Sequence, residues 1–80
     1  MKAVVTVTLK PDVLDPQGQA IQKACGSLGH DSVRDVRQGK HFEIDLGIED
    51  AGQAQALLEE LGDKLLANPV IEDFQVQLER

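Results

Sequence analysis

Few side chains in this sequence have the chemistry to make or break a bond, and their spacing does not assemble them. His30 and His41 are the two imidazoles able to move protons near neutral pH, but they lie eleven positions apart on stretches of different pattern. No serine or cysteine is placed by the sequence to serve either one as a nucleophile. Cys25 is the single cysteine, which excludes an intrachain disulfide and a CxxC metal or redox pair. It falls on the apolar side of a helical stretch, where a thiol acts as a small buried hydrophobe. Paired acids recur at Glu49-Asp50, Glu59-Glu60 and Glu72-Asp73, but on exposed helix and loop positions adjacent carboxylates are solvated charges. No glycine-rich phosphate cradle, Walker sequence or metal-ligand spacing is present. The expectation is therefore no catalytic residue, no cofactor-binding residue and no metal ligand in this chain.

Charge narrows the partners. Fourteen acidic residues against eight basic give a net charge of −6. Nucleic-acid binders need a basic footprint to displace counterions from phosphates, and two phenylalanines, Phe42 and Phe74, are too few to stack bases. An anionic membrane surface repels the chain for the same electrostatic reason. Met1-Lys2 runs straight into Ala3-Val4-Val5, which reads as a strand and not as a targeting or spanning segment. No nucleic acid, no membrane and a reducing, cytoplasmic location follow as expectations. Eighty residues are read as one unit, 1–80. Such a chain has a thin core and a net stability of about 4–12 kcal/mol, which makes oligomerisation a natural supplement.

The elements that would position any site are legible from periodicity. Residues 2–10 alternate, with Ala3, Val5, Val7 and Leu9 on one face, which predicts a strand. Asp15-Pro16 predicts a helix start, with Asp15 as cap and Pro16 at the first helical position. Ala20, Ile21, Ala24, Cys25 and Leu28 recur on one face of that helix, and Gly29 stops it. Val33 and Val36 suggest a short second strand with a bulge, turning at Gln38-Gly39 into a third strand through Phe42, Ile44, Leu46 and Ile48. A second helix from Asp50 carries Ala54, Leu57, Leu58, Leu61 and Leu65, and Asn68-Pro69 ends it. Val70, Phe74, Val76 and Leu78 alternate as the last strand.

The order β-α-β-β-α-β predicts an α/β (α+β) protein of ferredoxin-like fold. Its four-stranded antiparallel sheet has the first and third strands central and two helices on one face. The other face carries Val4, Thr6, Thr8, His41, Glu43, Asp45, Ile71, Gln75 and Gln77. It reads either as a solvated face or as a wet oligomer contact built around Val4 and Ile71. Function is argued from sites on such a fold. The loop after the first strand, Pro11–Asp15, is acidic, against phosphate hydrolysis, and lacks the two cysteines of a metal carrier. An amino-acid-sensing module of ACT type would use this loop and helix start, with Asp15 and Gly18 as its ligand groups. It is the alternative to a protein that works by docking to other proteins.

Three segments are more specific than the fold: Val13-Leu14-Asp15-Pro16-Gln17-Gly18, Val36-Arg37-Gln38-Gly39-Lys40 and Leu65-Leu66-Ala67-Asn68-Pro69-Val70-Ile71-Glu72. In order and spacing, after a first strand ending Leu9-Lys10, they resemble the PurS family, the small subunit of phosphoribosylformylglycinamidine (FGAM) synthase. The resemblance covers essentially the whole chain. His30 stands where relatives often carry an aromatic, and Gly26 where larger residues are usual.

The resemblance implies a non-catalytic role in purine biosynthesis. In this family a glutaminase subunit releases ammonia from glutamine, and a large ATP-dependent subunit uses it to convert formylglycinamide ribonucleotide to its amidine. The small subunit, a dimer or tetramer, joins the two and assists ammonia transfer. ATP, Mg and glutamine are used by the partner subunits, and this chain is expected to bind no cofactor. Carried onto this sequence, the implied interface residues are Asp15, Pro16, Gly18, Arg37, Gly39, Lys40, Asn68, Pro69 and Ile71. Asp15, Pro16 and Gly18 also read as a helix start, and Arg37, Gly39 and Lys40 as a basic hairpin tip. On an acidic protein that tip is either a solvated turn or, as the resemblance implies, a charged docking contact.

Overall fold

The computed structural model describes residues 1–79. Its elements are β1 (Lys2–Leu9), α1 (Pro16–Ser27), β2 (Gly39–Asp45), α2 (Ala51–Leu61) continued by a π-helical turn over Gly62–Leu66, and β3 (Glu72–Glu79). The strands form an antiparallel sheet in the order β2-β1-β3. Register places Val5 between Phe42 and Val76, and Ala3 between Ile44 and Leu78. The alternation read in β1 is thus one apolar row across the sheet. Ala3, Val5 and Val7 are buried on it, and Ala54, Leu58 and Ala67 close the core from the helix side. Leu58 is wholly buried; burying such a side chain contributes about 1.5–3 kcal/mol.

The fold is α+β as expected, but the sheet has three strands among the described residues, not four. The missing member is the edge strand assigned to Val33 and Val36. Residues 31–38 form no strand, and Gln38-Gly39 is not a hairpin turn. Two apolar residues out of phase, among Asp31, Arg34, Asp35 and Arg37, give a ladder little to bury. The backbone there bonds to α1 instead: Gln22 Nε2 donates to the Arg34 carbonyl at 2.7 Å. The other strands keep the expected pairing, so β2, expected inside the sheet, becomes an edge.

Local signals placed the helices well. Asp15 caps α1 and Pro16 occupies its first position. Gly29 takes a left-handed φ of 92°, letting the N–H of His30 reach the Cys25 carbonyl at 2.9 Å. Asp50 Oδ2 accepts from the Gln53 N–H at 3.1 Å. The end of α2 departs from expectation. The N–H of Ala67 bonds back five residues to Gly62, at 3.0 Å, and this wider turn shifts the facing of its last residues. Leu65, expected on the buried stripe, is 73% exposed, while Leu66 and Ala67 turn inward. Gly62 is needed where it stands, because a Cβ there would run into the Phe74 ring.

A third departure concerns α1. It was expected to cover the sheet beside α2, but it has no extensive packing against any strand. Ala20, Ile21, Ala24 and Leu28, its apolar side, are exposed, and Cys25 is half-buried. The radius of gyration is 15.9 Å, against about 11.6 Å for a compact chain of this length. The accessible surface is 5846 Å², against about 4,700 Å² for a closed monomer of this mass. The excess, about 1,100 Å², marks α1 as an arm projecting from the sheet.

Candidate functional site

The arm leaves the sheet where β1 ends, and its root is built from backbone hydrogen bonds closed by a few side chains. The Asp15 carboxylate is the anchor. One oxygen accepts the N–H of Gly18 at 3.0 Å, capping α1; the other accepts the N–H of Gln38 at 2.7 Å, where the chain returns toward β2. The Gln38 bond, then the Gly18 bond, with the Arg37 charge nearby, hold this carboxyl below its usual range against the opposing effect of desolvation. Gly18 lies so close to the Val36 carbonyl that no Cβ fits between them. Gln38 Nε2 donates to Gln17 Oε1 at 2.6 Å. Arg37 reaches back to the sheet, its Nη2 donating to the Lys10 carbonyl at 2.8 Å.

Lys10 is the meeting point. Its carbonyl takes Arg37, its N–H donates to the Ile71 carbonyl at 2.8 Å, and its Nζ pairs with Asp73 at 2.8 Å. The segment after α2 is folded onto the same end by Asn68. Its Oδ1 accepts from Val70 N at 3.0 Å, and its own N–H donates to Glu72 Oε1 at 2.7 Å. Pro69, the next residue, is exposed. Gly39 sits opposite Thr8 and against the Val7 carbonyl, with no room for a Cβ, and Lys40 is opposite Val7.

All nine residues expected at an interface therefore gather at one end of the sheet, though not all as contacts. Asp15 is buried, and Asp15, Gly18, Arg37 and Gly39 are used within the chain. Asn68 is likewise hydrogen-bonded within the chain, and all nine except Asp15 and Gly18 are exposed. Sequence reasoning missed Lys10, whose role rests on backbone atoms that no residue type advertises. It also missed Gln17 and Gln22, whose amides look like ordinary surface groups. It did not single out Leu14, exposed by 63%, and it read Val70 as the start of the last strand, whereas β3 begins at Glu72 and Val70 is 78% exposed. Their apolar character beside the distinctive segments was the available signal.

The arrangement offers surface and shape. Both Asp15 oxygens are taken by backbone N–H groups and Gly18 is covered by Val36, so the loop that an amino-acid sensor would use is closed by the chain itself. His41 lies on the open face of the sheet, 3.5 Å from Glu43 on the same strand, and His30 is exposed beyond the end of α1; the two do not converge. Among the described residues no three His, Cys, Asp or Glu side chains are grouped to hold a metal ion.

An α+β module with one helix on its sheet, one helix held clear of it, and a braced root between them is built for assembly with other chains. The chain belongs to the PurS family: the family profile, described as phosphoribosylformylglycinamidine (FGAM) synthase, matches residues 2–80. It is 47% identical to the FGAM synthase subunit PurS of Mycobacterium leprae, over 98% of this chain and 95% of that one. To the Bacillus subtilis PurS subunit it is 45% identical, over 98% and 92%. Its structure is similar to a crystal form of B. subtilis PurS (TM-score 0.88, 44% identity, 99% and 98% covered). It also matches a chain of the PurLQS structure from Thermotoga maritima (TM-score 0.86, 26% identity, 95% and 93% covered).

Proposed function

We propose that this chain is the non-catalytic joining subunit of FGAM synthase in purine biosynthesis. It associates with a second copy of itself through α1 and holds a glutaminase subunit against the large ATP-dependent subunit. The observation that carries this reading is the exposed apolar side of α1 in a member of the PurS family. The excess surface of about 1,100 Å² is of the size one partner buries in a stable complex, about 800 Å² or more.

The second copy is the fitting first partner. Helix α2 covers one part of the sheet's apolar face, while Phe42, Ile44 and Leu46 at the β2 side are only partly buried. The small residues of α1 suit close approach to such a row. Each copy would lay its arm on the other's sheet in an isologous contact, restoring the two-helix layer that one chain alone lacks.

Holding the two enzymatic subunits together has a chemical purpose. Free ammonia that escapes into water is protonated and loses its nucleophilic lone pair, so a sealed contact preserves the reactive form. In this reading ATP, Mg and glutamine are bound by the partner subunits, and this chain works in the cytoplasm without a cofactor of its own. The name of the T. maritima PurLQS assembly, which includes a chain similar to this one, supports the joining role.

The test is co-purification. Tagged chain is expected to retain both the glutaminase and the large subunit when glutamine and Mg-ADP are supplied. If the isolated chain is instead thermally stabilised by an amino acid and retains neither protein, the sensor reading replaces this one.

A further inference from the structure

The arm is more than a helix on a tether. Residues 31–38 run back along α1 and are stitched to it at both ends. Gln22 holds the Arg34 carbonyl and Gln17 holds the Gln38 side-chain amide, while Val33 N donates to the His30 carbonyl at 3.3 Å within the turn that connects the two. With Gly18 seated on Val36, α1 and the returning segment form one two-layer unit. Since α1 has no extensive packing against any strand, the angle of this unit to the sheet is set at its root. At that root two side chains oppose any swing. Asp15 ties the start of α1 to Gln38, next to the first residue of β2. Arg37 ties the returning segment to the carbonyls of Lys10 and Leu9, at 2.8 and 3.4 Å.

We infer that Asp15 and Arg37 are positioning residues for assembly: they lock the arm as a strut at a fixed angle to the sheet, so that α1 is presented to a partner already oriented. This rests on the reading that the α1 face is a contact. A fixed strut loses less conformational freedom on association than a swinging one, and the difference appears as affinity. Neither residue needs to touch the partner. Asp15 cannot, being buried.

Asp15→Asn is the discriminating variant. Asparagine caps helices as well as aspartate does, so α1 survives. With Gly18 kept on the amide oxygen, however, the amide NH2 stands where Oδ2 accepted Gln38, donor facing donor, and that bond is lost. In a Cys25→Ser background, spin labels at Ser27→Cys and Gln77→Cys report the arm-to-sheet distance, with labelled chains diluted in unlabelled ones. The expected result is a narrow distance distribution in the parent and one at least twice as broad in Asp15→Asn. Helix content should be unchanged, and self-association weakened about tenfold; Arg37→Ala should act in the same direction.

A distribution as narrow as the parent's, or a broad one with unaltered self-association, overturns the inference. Ile21→Glu, on the exposed side of the arm, separates this from the contact reading. If it abolishes self-association while Asp15→Asn leaves it intact, the strut fails and the α1 contact stands. If neither variant weakens association, both fall.

Discussion

The carboxylate of Asp15 accepts the backbone N–H of Gln38 at 2.7 Å, across 23 positions of sequence. That single bond joins the start of α1 to the last residue of the returning segment, where it enters β2, and among the described residues Asp15 is the one buried charged group. Its titration has a defined sign. The folded carboxyl lies below its ordinary value of 3.8, so its contribution is fully present above that pH and is lost as the pH falls through the folded value. In thermal unfolding followed from pH 6 to pH 2, the parent should therefore lose more of its Tm below pH 4 than Asp15→Asn does. Parallel curves for the two proteins would contradict the assignment.

Gly18→Ala places a methyl group against the Val36 carbonyl, a backbone atom that cannot rotate away. The expected cost is about 1–3 kcal/mol, as for other over-packed sites, read as a fall in the urea midpoint. A change within about 0.5 kcal/mol would mean that the returning segment is not seated on α1.

The wider turn at Gly62–Leu66 gives opposite outcomes for two leucines that look alike in sequence. Leu58→Ala opens a cavity under β1 and should cost about 2–5 kcal/mol. Leu65→Ala, with Leu65 exposed, should fall within about 0.5 kcal/mol of the parent in the isolated chain. Equal losses in denaturant unfolding would put Leu65 back in the core.

The basic residues of the 36–40 segment separate into two roles. Arg37 braces the arm root, whereas no partner within the chain engages Lys40 among the described side-chain contacts. Lys40→Glu alone should leave the Tm unchanged and reduce co-elution with the enzymatic subunits, more so at low salt. Undiminished co-elution would remove Lys40 from the docking surface.

Where the sequence was legible, the signal was local. Asp15-Pro16, Gly29, Asp50 and Asn68-Pro69 mark helix ends because each acts on groups within a few residues of itself, and the alternation of β1 survives because both neighbours bury the same face. The failures share one cause. Val33 and Val36 look like a strand until Gln22 and Asp15, from a different element, take the backbone groups a ladder would need. Leu65 fits a helical stripe until one extra residue in the turn carries it outward. Ile21 and Leu28 carry a core pattern that no surface of the same chain satisfies, since pattern records that a face is to be buried and not by whose atoms. For the site, the distinctive segments were found and meet at Lys10, but the division between braces (Asp15, Arg37) and exposed groups (Lys40, Pro69, Ile71) depends on long-range hydrogen bonds.

The central claim is that this chain makes its contribution by joining two enzymes and not by chemistry of its own. Reconstituted FGAM synthase assayed with and without the chain, once with glutamine and once with an ammonium salt as nitrogen donor, tests it most directly. Omitting the chain should abolish the glutamine-driven reaction and leave the ammonia-driven one running. Equal loss of both, or no loss of either, would contradict the account.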